Sequence, residues 1–186
     1  MKNISRALIL AMAAWSLPVF ADSLQQSDVD RFIAKTPAVF TVIASVDQRL
    51  SKQEKKRFQA SLMKMRPYTT MADMMEDKPD NLLLDGVSQK VGYEDFQHYA
   101  KVADRFFSVA MSAQMVEQFS GLGQENPEKI NNLFRYLDDP SKPEEKQKRL
   151  SEAFEKMCQE RCVNPDDVDI VAQNYLPLSK VLRLKK

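Results

Sequence analysis

Residues 93–119 read YEDFQHYAKVADRFFSVAMSAQMVEQF. On a wheel of 3.6 residues per turn, Phe96, Tyr99, Ala103, Phe106, Ala110 and Ala113 fall in one stripe. Ala100, Phe107 and Met111 flank it on one side, Val102 and Val109 on the other. The apolar arc exceeds half the circumference, whereas a helix lying on a surface needs only about 100°. The stretch is therefore expected to be a long central helix with neighbours on several sides. Its polar strip is His98, Lys101, Arg105, Ser108 and Ser112.

The same spacing extends outward from this segment. Apolar residues recur at three and four positions, and the chain has only four glycines. The one Asp-Gly pair, Asp85-Gly86, is not flanked by alternating strand residues. The reading is all-α: a single compact bundle of about five to eight helices around 93–119. Ser27-Asp28-Val29-Asp30 resembles a helix cap, and Pro37 is expected to kink or end that helix. Residues 38–50 are rich in Val and Ile and would suit a helix or a buried strand. Ser51-Lys52-Gln53-Glu54 fits a capping box that opens a basic helix, closed by Pro67. Short helices are expected over 70–77 and 81–89. Asn126-Pro127-Glu128 caps a helix to Leu137, and a charged helix follows over 143–162. Asn164-Pro165-Asp166-Asp167 caps one more, ending near Tyr175.

The N-terminus carries an export pattern. Lys2 and Arg6 precede an apolar run, and Val19-Phe20-Ala21 places small residues at a cleavage site. Residues 1–21 are expected to be a cleaved secretory signal, leaving 22–186 as a single domain. Loss of Lys2 and Arg6 takes the formal charge from +1 to −1. Such a balance gives no general attraction to nucleic acid or to an anionic membrane. No later stretch is apolar enough to span a bilayer. The run Val91-Gly92-Tyr93-Glu94-Asp95-Phe96, followed by Val102-Ala103-Asp104-Arg105, resembles a pattern in small secreted helical proteins of Gram-negative bacteria. In those proteins a Gly-aromatic helix start precedes an Asp-Arg pair. The resemblance implies no activity.

Cys158 and Cys162 are the only cysteines. Export favours a disulfide. In an intact helix, however, Cβ atoms four residues apart lie about 5–6 Å from each other, and a disulfide wants about 3.5–4.5 Å. Asn164-Pro165 relieves the conflict, because proline disfavours helical geometry at the preceding residue and the helix should end near Cys162. A local staple is expected. Exchange between chains, free thiols and a metal site remain alternatives. The spacing fits neither a thioredoxin-type nor a c-type haem motif.

Other chemistry is sparse. His98 is the sole histidine, which argues against zinc and against nucleophile–histidine catalysis. The pairs Asp138-Asp139, Glu144-Glu145 and Asp166-Asp167 fall near helix starts or breaks and read as caps, not as general acids and bases. No cofactor or metal is expected. Ten methionines are present. Met71, Met74 and Met75 share one helical face, and Met111 and Met115 share another, making them a candidate apolar binding surface. A soft-metal role for these thioethers is the narrower alternative. The tail 178–186 is basic, and would dock on the body, fray, or make a weak contact with an anionic surface.

The function expected on these grounds is that of a non-enzymatic, exported binding or interaction protein, periplasmic in a Gram-negative bacterium. Its partner would be an envelope protein or peptide, met through a Met/Phe-rich surface. A carrier of a small apolar ligand in the bundle interior is the runner-up. A carboxylate-dependent envelope hydrolase ranks third.

Overall fold

Asp95 starts the central helix by accepting a hydrogen bond from His98 N at 2.7 Å, and Gly121 ends it in the left-handed region at φ 72°. The computed structural model describes residues 23–122, 133–182 and 184. The expected signal, the Asn126-Pro127-Glu128 cap, and Arg183, Lys185 and Lys186 of the tail lie outside them. Among the described residues there are nine α-helices, one 3-10 turn and no strand. They are α1 (Gln26–Arg49), α2 (Lys52–Met63), α3 (Pro67–Met75), α4 (Pro79–Lys90) and α5 (Phe96–Ser120), then α6 (Leu133–Leu137), α7 (Glu144–Arg161), α8 (Val168–Gln173) and α9 (Tyr175–Val181). The number exceeds the expected five to eight because α6, α8 and α9 are pieces of one or two turns. No helix among the described residues is long and apolar enough to cross a membrane.

Helix α5 packs against α3, α4, α6, α7, α8 and α9. Its stripe residues Phe96, Tyr99, Ala103, Phe106, Ala110 and Ala113 are fully buried. From α1, Phe32 stands 4.7 Å from Phe106 and 5.8 Å from Tyr99 between ring centroids. The Tyr99 hydroxyl donates to Thr36 Oγ1 at 3.3 Å. Met71 and Met75 of α3 are also fully buried. On the far side Phe134 of α6 makes edge contacts at 5.3 Å with both Phe154 of α7 and Tyr175 of α9.

Proline positions explain the main departures from expectation. Helix α1 runs straight through Pro37, so 38–50 is neither a separate helix nor a strand. An internal proline costs about 3 kcal/mol. Burial of Val29, Phe32, Val39 and Val46 along one face, on both sides of Pro37, offsets that and keeps the helix continuous. The cap lies at Gln25, with Asp28 returning to the Gln25 backbone N–H at 2.9 Å. Pro67 and Pro79 each occupy the first turn of a helix, where no N–H is needed. Helices α2 and α3 are joined through Met65, whose φ of 58° is left-handed although its side chain is buried. The C-terminal segment continues past Tyr175 because Pro177 falls in the first turn of α9. Leu178 and Leu182 are buried, so the start of the tail is docked on the body.

Candidate functional site

Asp104 sits in the flank that Ala100, Phe107 and Met111 form on α5, and is 1% exposed. Its carboxylate accepts hydrogen bonds from Tyr68 N at 2.9 Å, Thr69 N at 2.9 Å and the Thr69 hydroxyl at 2.6 Å. It thereby supplies the cap that Arg66 does not provide at the start of α3. Burial pushes the Asp104 carboxyl up to about 6, against the lowering effect of those three donors and of nearby Arg66. The sequence signal for Asp104 was present: a carboxylate in register with an apolar flank is an anomaly.

Above Asp104 a cleft of about 560 Å³ opens between α3, α5 and the strand-like segment after α7. Arg66, Thr69, Gln97, Lys101 and Arg105 line it, together with Val163. Arg66 and Val163 are shared with a second cleft, which reaches Met63, Lys64, Arg161 and Cys162. Asp73 and Gln97 are shared with a third, whose walls include Glu76, Asp85 and Asp95. The adjoining clefts form a groove with carboxylates at one end and, at the other, the cations Lys64, Arg66 and Arg161 with Glu160 among them. Two of those carboxylates are engaged as caps: Asp85 accepts from Phe96 N at 2.9 Å, and Asp95 caps α5 itself.

Arg105 is held rigidly in the groove wall. It makes a two-pronged pair with Asp167, at 2.6 Å from both Nε and Nη2. Asp167 is fully buried and also accepts from Leu24 N at 3.1 Å. The expectation that Asp166-Asp167 only caps a helix is thus corrected. The cap is Asn164, accepting from Asp166 N at 3.1 Å, while Asp167 ties α5 to the start of the described chain. Ser108 and Ser112, expected on a polar strip, are buried. Their small side chains let the end of α7 approach, and Val163 N donates to Ser108 Oγ at 3.0 Å. His98 remains exposed on that strip.

Cys158 and Cys162 form a disulfide with a Cα–Cα distance of 4.7 Å. Helix α7 stops at Arg161, and Cys162 is already extended at φ −69°, ψ 140°. The staple fixes the turn that carries Val163 into the groove. The methionines divide differently from the expected surface. Met71, Met74 and Met75 are buried in the core. They do not line an exposed groove, because α3 is packed against α2, α4 and α5 and these side chains are enclosed. Met111 and Met115 are half-buried against the core. Among the described residues the strongly exposed apolar side chains are Met63, Leu82, Leu83 and Phe119, with Leu62 at 38%.

At the other end of α5, Glu117 accepts from Leu133 N at 2.7 Å and is hydrogen-bonded to Tyr175. Burial raises its carboxyl above the usual range. It joins α5, α6 and α9 and lies away from the groove. Among the described residues no three of His, Cys, Asp and Glu gather so as to hold a metal ion. No family model matches this chain, and comparison with curated proteins and with solved structures finds no significant match.

Proposed function

We propose that this chain is an exported, non-enzymatic binding protein of a Gram-negative periplasm, and that it engages a segment of an envelope protein or peptide through the groove along α3 and α5. The observation that carries the reading is the succession of adjoining clefts, from Asp73 and Glu76, past Thr69 and Gln97, to Lys101, Arg66 and Lys64. An extended segment with cationic and anionic ends would find complementary charge along its length. The N-terminal export pattern and the Cys158–Cys162 disulfide support the compartment.

Catalysis by carboxylates is supported less. Among the described residues the buried Asp104 and the half-buried Glu117 have carboxyls shifted upward, but they stand thirteen residues apart on one helix, about 20 Å along its axis. A glycosidase pair works at about 5–10 Å. An apolar carrier is also supported less, because Phe32, Tyr99, Phe106, Met71 and Met75 occupy the interior between α1, α3 and α5.

Titration of labelled protein with short peptides, followed by amide resonances, tests the proposal. A peptide with one basic and one acidic half is expected to shift residues near 64–66, 97–105 and 161–163. Arg66→Glu combined with Lys101→Glu should weaken it about ten-fold or more. Absence of localised shifts with charged and apolar peptides alike would remove the reading. Shifts confined to the α1–α5 aromatics on adding a small apolar compound would favour the carrier.

A further inference from the structure

We infer that the outward face of α2 is a docking site for an anionic phospholipid surface. Helix α2 leans on α3 and fully buries only Ser61, with Phe58 partly covered. Those two positions and Glu54 mark its inner line. The opposite line is Lys52, Lys56, Gln59 and Met63, with Lys55 and Leu62 to one side and Gln53 and Ala60 to the other; Arg57 lies at the edge nearest Ser61. Lys64 follows at the C-cap, and all five cations are exposed.

Glu54 is the only acid on the helix, and it does not dilute this charge. It is turned inward, where it accepts from the Ser51 backbone at 2.8 Å and pairs with Lys78 of the α4 cap. The outward face therefore has one sign, although the chain as a whole is nearly neutral. The capping box at Ser51 keeps the helix formed up to its exposed end.

Charge complementarity calls for an anionic partner, and two features select a lipid surface over an acidic protein. Four of the five cations are lysines, compact charges on flexible stems that suit a diffuse anionic plane more than fixed paired contacts. The face is also a convex helix side ending in Leu62 and Met63, which are 38% and 66% exposed. Cations beside exposed apolar side chains are the combination that a bilayer interface rewards.

Co-sedimentation of the mature protein with vesicles tests this. Binding is expected to vesicles containing phosphatidylglycerol and not to pure phosphatidylcholine. It should weaken sharply between ~0.1 M and ~1 M salt, as the screening length falls from about 10 to about 3 Å. The triple variant Lys52→Gln, Lys55→Gln, Lys56→Gln should lower partitioning on the order of a hundred-fold, about five-fold per charge removed. Leu62→Ser with Met63→Ser should lower it several-fold at unchanged salt dependence. For the lysine variant, whose three positions lie outside the groove, an unchanged circular dichroism melt and unchanged peptide shifts in the groove would show that it acts at this face alone. Equal binding to neutral vesicles, no binding at all, or full binding by the triple variant would each overturn the inference. So would loss of binding in Lys185→Gln, Lys186→Gln but not in the triple variant, which would move the contact to the tail. Binding to polyglutamate without binding to the vesicles would assign the face to an acidic protein instead.

Discussion

Helices α5 and α2 pack on the same neighbour, α3, from different sides. Fifteen of the twenty-five residues of α5 are buried, including Asp104, Ser108, Ser112 and Gln114. Only Ser61 is buried in α2. The first helix holds its polar groups by giving each a partner; the second leaves them in water. In α5 a side chain therefore contributes to the energy of folding, and in α2 mainly to the electrostatic field presented to a partner. A polar residue inside α5 is part of the framework, whereas one on α2 can be exchanged with little effect on the fold. Substitutions that move stability in α5 and binding in α2 test that division.

Phe106→Ala is expected to have the largest effect, about 3–5 kcal/mol by urea denaturation, because it removes a fully buried ring that packs on Phe32. A cost no larger than that of an exposed site would place the buried face of α5 wrongly. Asp167→Ala should follow, at about 3 kcal/mol, since it strands Arg105 and the Leu24 N–H. Replacing Cys158 and Cys162 by serine should cost at most about 2 kcal/mol, given the short loop they close. Unreduced protein should resist alkylation, and reduced protein should take up label at both positions.

Asp104 sharpens the comparison by pH. Its folded carboxyl is raised to about 6, above the ordinary 3.8. Its contribution to stability is therefore complete below about 3.8 and is lost as pH rises through about 6. Relative to Asp104→Asn, the wild type should lose stability across that window, a difference that denaturation at several pH values would detect. Thr69→Val removes a donor that lowers this pKa, so carboxyl resonances should titrate at higher pH in the variant. The smallest effects are expected on α2 and the groove rim. Lys56→Ala and Lys101→Ala should each change stability by less than about 0.5 kcal/mol. A larger loss at Lys56 would mean that α2 is held by its outward charges.

Helix α5 was legible in the sequence because apolar residues at three and four positions identify a buried face wherever the neighbours come from. The caps at Ser51 and Asn164 and the end of α7 at the disulfide were legible for a related reason. Their chemistry is confined to a few consecutive residues. Continuation of α1 through Pro37 was not legible. Local preference argues for a break there, and only burial of residues on both sides reverses it.

The groove lay further from view. Arg66, Lys101 and Val163 belong to three separate stretches, and no periodicity within any of them reports the other two. The burial of three of the five candidate methionines was hidden for the same reason. Shared helical facing places Met71, Met74 and Met75 together, but whether that face meets water or α5 depends on packing at long range. Local hydrogen bonding and amphipathic period are properties of a segment, so they survive in the linear chain. Exposure, ion pairing such as Arg105–Asp167, and the convergence of side chains into a cleft are properties of neighbours, and they exist once α1, α3, α5 and α7 have closed on one another.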